Sequence, residues 1–145
     1  MPEKETRERS EEDKREGKAP STQAGEFVRE EIEHVREGKH GARSTKQAIA
    51  IGLSKARRAG VKLKPPTKGS KKTKKQAARD LKKGKKKGTK KSAKRSRATS
   101  GALKREGRSA ASKRALSRQA RSAAKKRSAA SRSRAAKKAA ATRKK

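Results

Sequence analysis

The chain has no cysteine, tryptophan or tyrosine, and Phe27 is its one aromatic residue. Lack of cysteine excludes disulfide staples and thiolate metal sites. Lack of aromatic platforms disfavours stacking on unpaired bases, and with it sequence-specific reading of single strands. No run of 18 apolar residues occurs, so no membrane-spanning helix is expected. Large apolar residues are scarce too. Of 38 hydrophobic residues 25 are alanine, and nine of the other 13 lie between Phe27 and Leu63. At most about 40 residues can share a core, a size that is marginal without a staple or a partner.

Acidic residues are nearly absent beyond position 37. Residues 1–37 hold twelve carboxylates against eight cations, and residues 38–145 hold two against 41, for a net charge of +35. Such a basic body repels itself and buries little, so it calls for a polyanion. Nucleic acid is the abundant one; an anionic membrane is the lesser candidate, and no membrane partner is expected. The opening "MPEKETRERSEEDKREGK" lacks the apolar core of a secretory signal and is too acidic for a transit peptide. The expected location is the cytoplasm, at the nucleoid.

The pattern predicts a mostly α chain with extensive disorder. Residues 1–20 mix charges without apolar periodicity and are expected to be disordered. Residues 21–63 are expected to form a two-helix hairpin or helix-turn-helix-like core, with helices at about 22–37 and 45–59. In the first helix, Ser21 is the expected N-cap. Ala24, Phe27, Val28, Ile32 and Val35 share one face, and Glu26, Arg29, Glu30, Glu33 and Glu37 form the solvated one. In the second, Ser44 and Gln47 fit a capping box. Ile49, Leu53 and Ala56 make its stripe, with Ala48, Gly52 and Ala59 beside it, and Ile51 is expected against Val61 and Leu63. Residues 64–108 read as a disordered basic linker rich in proline, glycine and lysine. Residues 109–145, free of glycine and proline, read as a conditionally helical tail: disordered alone, with cations on every side of the wheel. A phrase recurs at Lys14 ("KREGKAPSTQA"), Arg36 ("REGKHGARSTKQA") and Lys104 ("KREGRSAASKRA"). It is either shared low complexity or a repeated turn-then-helix unit.

Catalytic chemistry is poorly supported and no enzyme is expected. His34 and His40 match no metal spacing, so no metal, cofactor or catalytic residue is predicted. "GKHGARSTK" does not follow the phosphate-loop pattern, since lysine and hydroxyl do not directly follow the second glycine. The start of the second helix, ringed by Lys39, Arg43 and Lys46, is either a capped terminus with solvated charges or a docking point for one phosphate. The expected phosphate contacts are those three with Lys55, Arg57 and Arg58 on the helix. Lys71, Lys72, Lys74, Lys75, Lys85, Lys86 and Lys87 add to them in the linker, and Arg114, Arg118, Arg121, Lys125, Lys126 and Arg127 in the tail. Lysine and arginine in this density suit phosphates better than base edges, though Gln47 could read a base.

The tail "AAKKRSAASRSRAAKKAAATRKK" resembles the Lys/Ala-rich tails of linker histones and bacterial histone H1-like proteins, a compositional likeness over about the last 80 residues. Arg15 to Leu63, with "GARSTKQAIAIGLSKARRAG" as its signature, looks like a family of small basic bacterial proteins of unknown function, often labelled plasmid-stabilisation proteins. That likeness implies a bacterial cytoplasmic origin and no established catalytic residues. The expected function is a histone-like, largely sequence-independent binder of double-stranded DNA that coats or compacts it. The helical pair would be a node for self-association or a protein partner. The alternatives are an RNA-binding or ribosome-assembly factor and a plasmid-maintenance regulator.

Overall fold

A computed structural model of the chain describes residues 1–86 and 92–143. The described residues form seven α-helices, α1 (Lys4–Arg15), α2 (Pro20–Arg36), α3 (Thr45–Arg58), α4 (Lys71–Gly84), α5 (Ala93–Lys104), α6 (Lys113–Lys125) and α7 (Ala129–Arg143), with a 3-10 turn at Ser109–Ala111. No strand occurs among the described residues.

The pairing of α2 with α3 is the most extensive helix–helix contact. Two apolar clusters fix its antiparallel sense. Near one end Ala24 and Phe27 meet Ala56 and Val61, with Leu53 and Leu63 alongside. Near the other, Ile32 and Val35 meet Ala42 and Ala48. Fully burying Phe27, Ile32 or Val35 contributes about 1.5–3 kcal/mol each, so this pair is the anchor of the molecule. The face that α3 presents is a row of small residues, Thr45, Ala48, Gly52 and Ala56, all buried. Of the expected stripe Ala56 is buried, but Ile49 and Leu53 are only half-buried, because the inward face turns toward Ala48 and Gly52. Small residues let the helix axes approach. A Cβ on Gly52 would sit 2.6 Å from Val28 Cα. Ile51 belongs to neither cluster, so its expected pairing with Val61 and Leu63 is replaced by Leu53.

The expectation of extensive disorder is overturned. The N-terminal segment forms α1, which lays buried Thr6 and Ser10 on α2 and joins Arg9 to Glu26 at 3.0 Å. The supposed linker contains α4 and α5. Helix α4 docks on α3 through Ala77 and through Asp80, whose carboxylate accepts from Ser54 Oγ (2.7 Å), Arg58 Nε (2.8 Å) and Gln76 Nε2 (3.2 Å). The tail is held at its start. Ala110 and Ala111 are buried against the Ile32–Val35 cluster with Leu116 beside them. Thr45 Oγ1 donates to the Ala110 carbonyl (2.6 Å), and Arg36 Nε donates to that of Ala111 (2.9 Å). A search for large apolar periodicity misses these contacts, because alanine and a buried ion pair make them.

Serine caps replace apolar pattern as the start signal. Ser44, Ser70, Ser92 and Ser112 each accept a hydrogen bond from the backbone N–H three residues on. Ser128 does the same for Ser131 ahead of α7. Ser21 does not cap α2. Ala19 holds that position and Pro20 starts the helix, where its missing N–H costs nothing.

Two copies of the repeated phrase make one turn. At the ends of α1 and α2, Gly17 (φ 72°) and Gly38 (φ 77°) take the left-handed conformation that favours glycine. In each, the following lysine's N–H reaches back five residues, Lys18 to Asp13 O (2.9 Å) and Lys39 to His34 O (3.0 Å). Gly107, in the third copy, has no positive φ, and that copy leads into the 3-10 turn instead.

Candidate nucleic-acid interface

The cations of the hairpin are mostly engaged inside the protein. Lys39 pairs with Glu37 (3.0 Å) and Glu3 (3.1 Å), and these carboxylates, Glu37 first, raise its pKa. Arg43 reaches Glu106 at 3.4 Å. Lys55 points into the α2–α3 seam, 2.5 Å from Glu31 and 3.7 Å from Glu30. Arg57 is buried, donates to the carbonyls of Leu63 (3.1 Å) and Lys64 (3.4 Å), and has its pKa lowered by burial. Arg58 holds Asp80. Lys55 and Arg57, expected at the surface, therefore serve the fold. Lys46 is exposed. At the start of α3 the cap is made: Ser44 Oγ accepts from Gln47 N–H (3.2 Å), and Gln47 Oε1 accepts from Arg43 N–H (2.7 Å). Gln47 is thus committed to the cap.

The basic surface lies further along the chain. On α4 the buried face is Ala77 and Asp80, flanked by half-buried Lys74 and Leu81. Helical spacing puts Lys71, Lys72, Lys75, Arg79, Lys82 and Lys83 on the other side, all exposed. On α6 the half-buried side is Ala115, Leu116 and Gln119. Arg114, Arg118, Arg121 and Lys125, at steps of four, three and four, form an exposed stripe on the opposite side, about 16 Å long at the helical rise. Cations on every side of the wheel were expected throughout residues 109–145. That description fits α7 but not α6, whose half-buried side of Ala115, Leu116 and Gln119 carries no cation.

Lys85, Lys86, Lys126 and Arg127 are exposed, and Arg127 donates to Ser131 Oγ and O at 3.1–3.3 Å. Lys87 lies outside the described residues. Among the described residues, no exposed cation of α4 beyond Asp80's reach, nor any of α6 and α7, pairs with a carboxylate. Arg79, Lys82 and Lys83 belong to this surface and were missed; their i, i+3, i+4 spacing opposite Ala77 was the available signal. An open groove of about 690 Å³ lies where the α2–α3 turn meets the end of α5, lined by Lys39, His40, Lys104 and Arg108 with Glu37 and Glu106.

The histidines are not solvated surface groups. His34 Nε2 is 2.9 Å from Glu3 Oε1, and His40 Nε2 is 3.1 Å from Glu31 Oε1. Glu30 and Glu31, both buried, sit beneath them; Glu30 was expected on the solvated face, but α1 covers it, with the Glu3 N–H donating to Glu30 Oε2 (3.1 Å). His34 first, then Lys39, hold the Glu3 carboxyl below the usual carboxylate range. Among the described residues, Glu31, His34 and His40 form the one group arranged to hold a metal ion.

With this geometry in view, similarity to known proteins is limited to one segment. Residues 17–68 match DUF6496, a family of unknown function. The DUF6496 segment takes in Gly17, α2, α3 and Pro65–Pro66, about a third of the chain, with Glu31, His34, His40 and Lys55 inside it. None of α4 to α7 falls within it. No curated protein and no solved structure matches the chain. Neither the plasmid-stabilisation label nor the histone H1-like tail is supported by the DUF6496 match. No helix among the described residues is long and apolar enough to cross a membrane.

Proposed function

We propose that the chain is a nucleoid-associated protein that binds duplex DNA through its phosphates, without sequence preference, and coats or compacts it. One observation carries this reading: α4 and α6 each dock by one face and turn a stripe of uncompensated cations away from it. Residues 92–143 hold eighteen lysines and arginines against Glu106 alone. At that density, release of counterions from DNA supplies the affinity. No aromatic side chain is available to stack on unpaired bases.

Each helix has its part. The α1–α3 unit is the folded node, α4 and α6 are one-sided phosphate rails, and α7 carries cations around its circumference. A helix charged on several sides can touch phosphates of two duplexes at once, which suits compaction better than recognition of one groove. Most hairpin cations are engaged by the protein's own carboxylates and carbonyls, Lys46 excepted, so the node contributes position more than charge.

Competition binding tests this. A labelled 30-base-pair duplex bound to the full chain is challenged with unlabelled duplex, single-stranded DNA and structured RNA. Duplexes of unrelated sequence are expected to compete equally, and better than the other two. Stronger competition by RNA would transfer the reading to an RNA-binding or ribosome-assembly factor.

A further inference from the structure

A second site lies within the DUF6496 segment, away from the basic stripes and independent of nucleic-acid binding. Glu31 and His34 stand one helical turn apart on α2, and His40 follows in the turn toward α3. The ligand atoms of the three lie within 4.8 Å of one another. Their rings and carboxylate are shielded: the side chains of Glu31, His34 and His40 are 1%, 13% and 16% exposed.

The polar groups of this cluster are under-satisfied. Neither oxygen of buried Glu31 accepts an aligned hydrogen bond. Lys55 Nζ approaches Oε2 at 2.5 Å as a charge contact out of line for one, and His40 Nε2 approaches Oε1 at 3.1 Å. An oxygen of Glu30, buried next to it, lacks a hydrogen bond as well. Lys55 and His40 supply charge but no aligned donor, so a ligand that bonds directly to Glu31 has room to improve on them.

His40 narrows what that is. Its Nδ1 lies 3.0 Å from the Gly41 carbonyl oxygen. A carbonyl only accepts, so Nδ1 carries the proton. Nε2 stands 3.1 Å from a Glu31 carboxylate oxygen without the alignment of a hydrogen bond. A cation is called for between them. A proton on Nε2 would be poorly aimed at the oxygen, whereas a metal ion to one side can bond to both. Histidine ligands in metal sites show this arrangement: one ring N–H held by a backbone carbonyl, the other nitrogen bare toward the metal.

We propose that Glu31, His34 and His40 bind a divalent transition metal of the zinc class. One carboxylate oxygen and two imidazole nitrogens suit that class of ion. His34 would offer Nδ1 or, by releasing its 2.9 Å hydrogen bond to Glu3, Nε2, and the fourth position is left for water or for Glu3. With bonds of about 2.0–2.1 Å, tetrahedral ligands stand about 3.3 Å apart. Glu31 and His40 already meet that separation, and side-chain rotation closes the rest. The metal would tie the start of α1, the body of α2 and the approach to α3 into one knot. Lys55 competes with it for Glu31.

The test uses the full chain, freed of nucleic acid and stripped with chelator, titrated calorimetrically with Zn²⁺. One ion per chain is expected, with affinity falling at least about tenfold in His40→Ala and in Glu31→Gln. Lys55→Met is expected to bind more tightly than the parent. Circular dichroism checks that each variant is folded, and His34→Gln stands in for any that is not. Absence of saturable binding would overturn the proposal. So would Zn²⁺ binding unchanged in His40→Ala and His34→Gln, which would place the ion on the acidic side chains of α1.

Discussion

Asp80 is the one carboxylate of α4, and its placement sets what that helix does. Burial alone would raise its pKa, but the hydrogen bonds from Ser54, Arg58 and Gln76 outweigh burial and hold it below the usual carboxylate range. A depressed pKa means stability that is fully present above the unfolded value of about 3.9 and lost as pH falls through the folded one. Asp80→Asn is therefore expected to destabilise the protein by about 2 kcal/mol at neutral pH. The gap between variant and parent should close below about pH 4, as read by denaturant unfolding across pH. Gly52 makes the second prediction at this scale. Its missing side chain admits Val28 Cα, part of the backbone, which cannot move aside as a flexible side chain would. Gly52→Ala should gain helix propensity yet cost about 1–3 kcal/mol through overpacking, seen as a lowered melting temperature.

Among the elements, α2 and α3 were the legible ones. Phe27, Ile32 and Val35 recur at helical spacing, Ser44 and Gln47 spell a cap, and glycines mark both ends. What the sequence left open was how far the inner face of α3 turns from Ile49 and Leu53 toward Ala48 and Gly52, which carry little hydrophobic weight beside them. The same blindness hid α1, α4 and the docking of residues 109–111. These are fixed by Thr6 and Ser10, by Asp80, and by Ala110 and Ala111, none of which stands out in a hydropathy pattern. Serines in the basic half look like low complexity, yet Ser70, Ser92 and Ser112 are N-caps. Replacing Ser112 by alanine should cost about 1 kcal/mol of helix stability. Hydrogen exchange should show faster exchange at the start of α6, with α2 unaffected.

For the whole molecule, charge separation was plain from the sequence and its organisation was not. Twelve of fourteen carboxylates precede position 38, and several of them neutralise the hairpin's own cations. The remaining positive charge is left to α4 through α7, where α4 and α6 present it one-sidedly. Of the cations first expected at phosphates, Lys55 and Arg57 belong to the interior, while Arg114, Arg118, Arg121 and Lys125 share one stripe. The histidine–carboxylate cluster was illegible because His34 and His40 match no motif spacing, and only the turn at Gly38 brings His40 back over α2. The exposed rails of α4 and α6 are expected to bind duplex phosphates. The binding constant for a 30-base-pair duplex, measured against salt concentration, reads this. Neutralising about ten phosphates predicts a log–log slope near −9, falling to about −6 when Arg114, Arg118 and Arg121 are replaced by glutamine. A slope near zero, or one the triple substitution leaves unchanged, would contradict it.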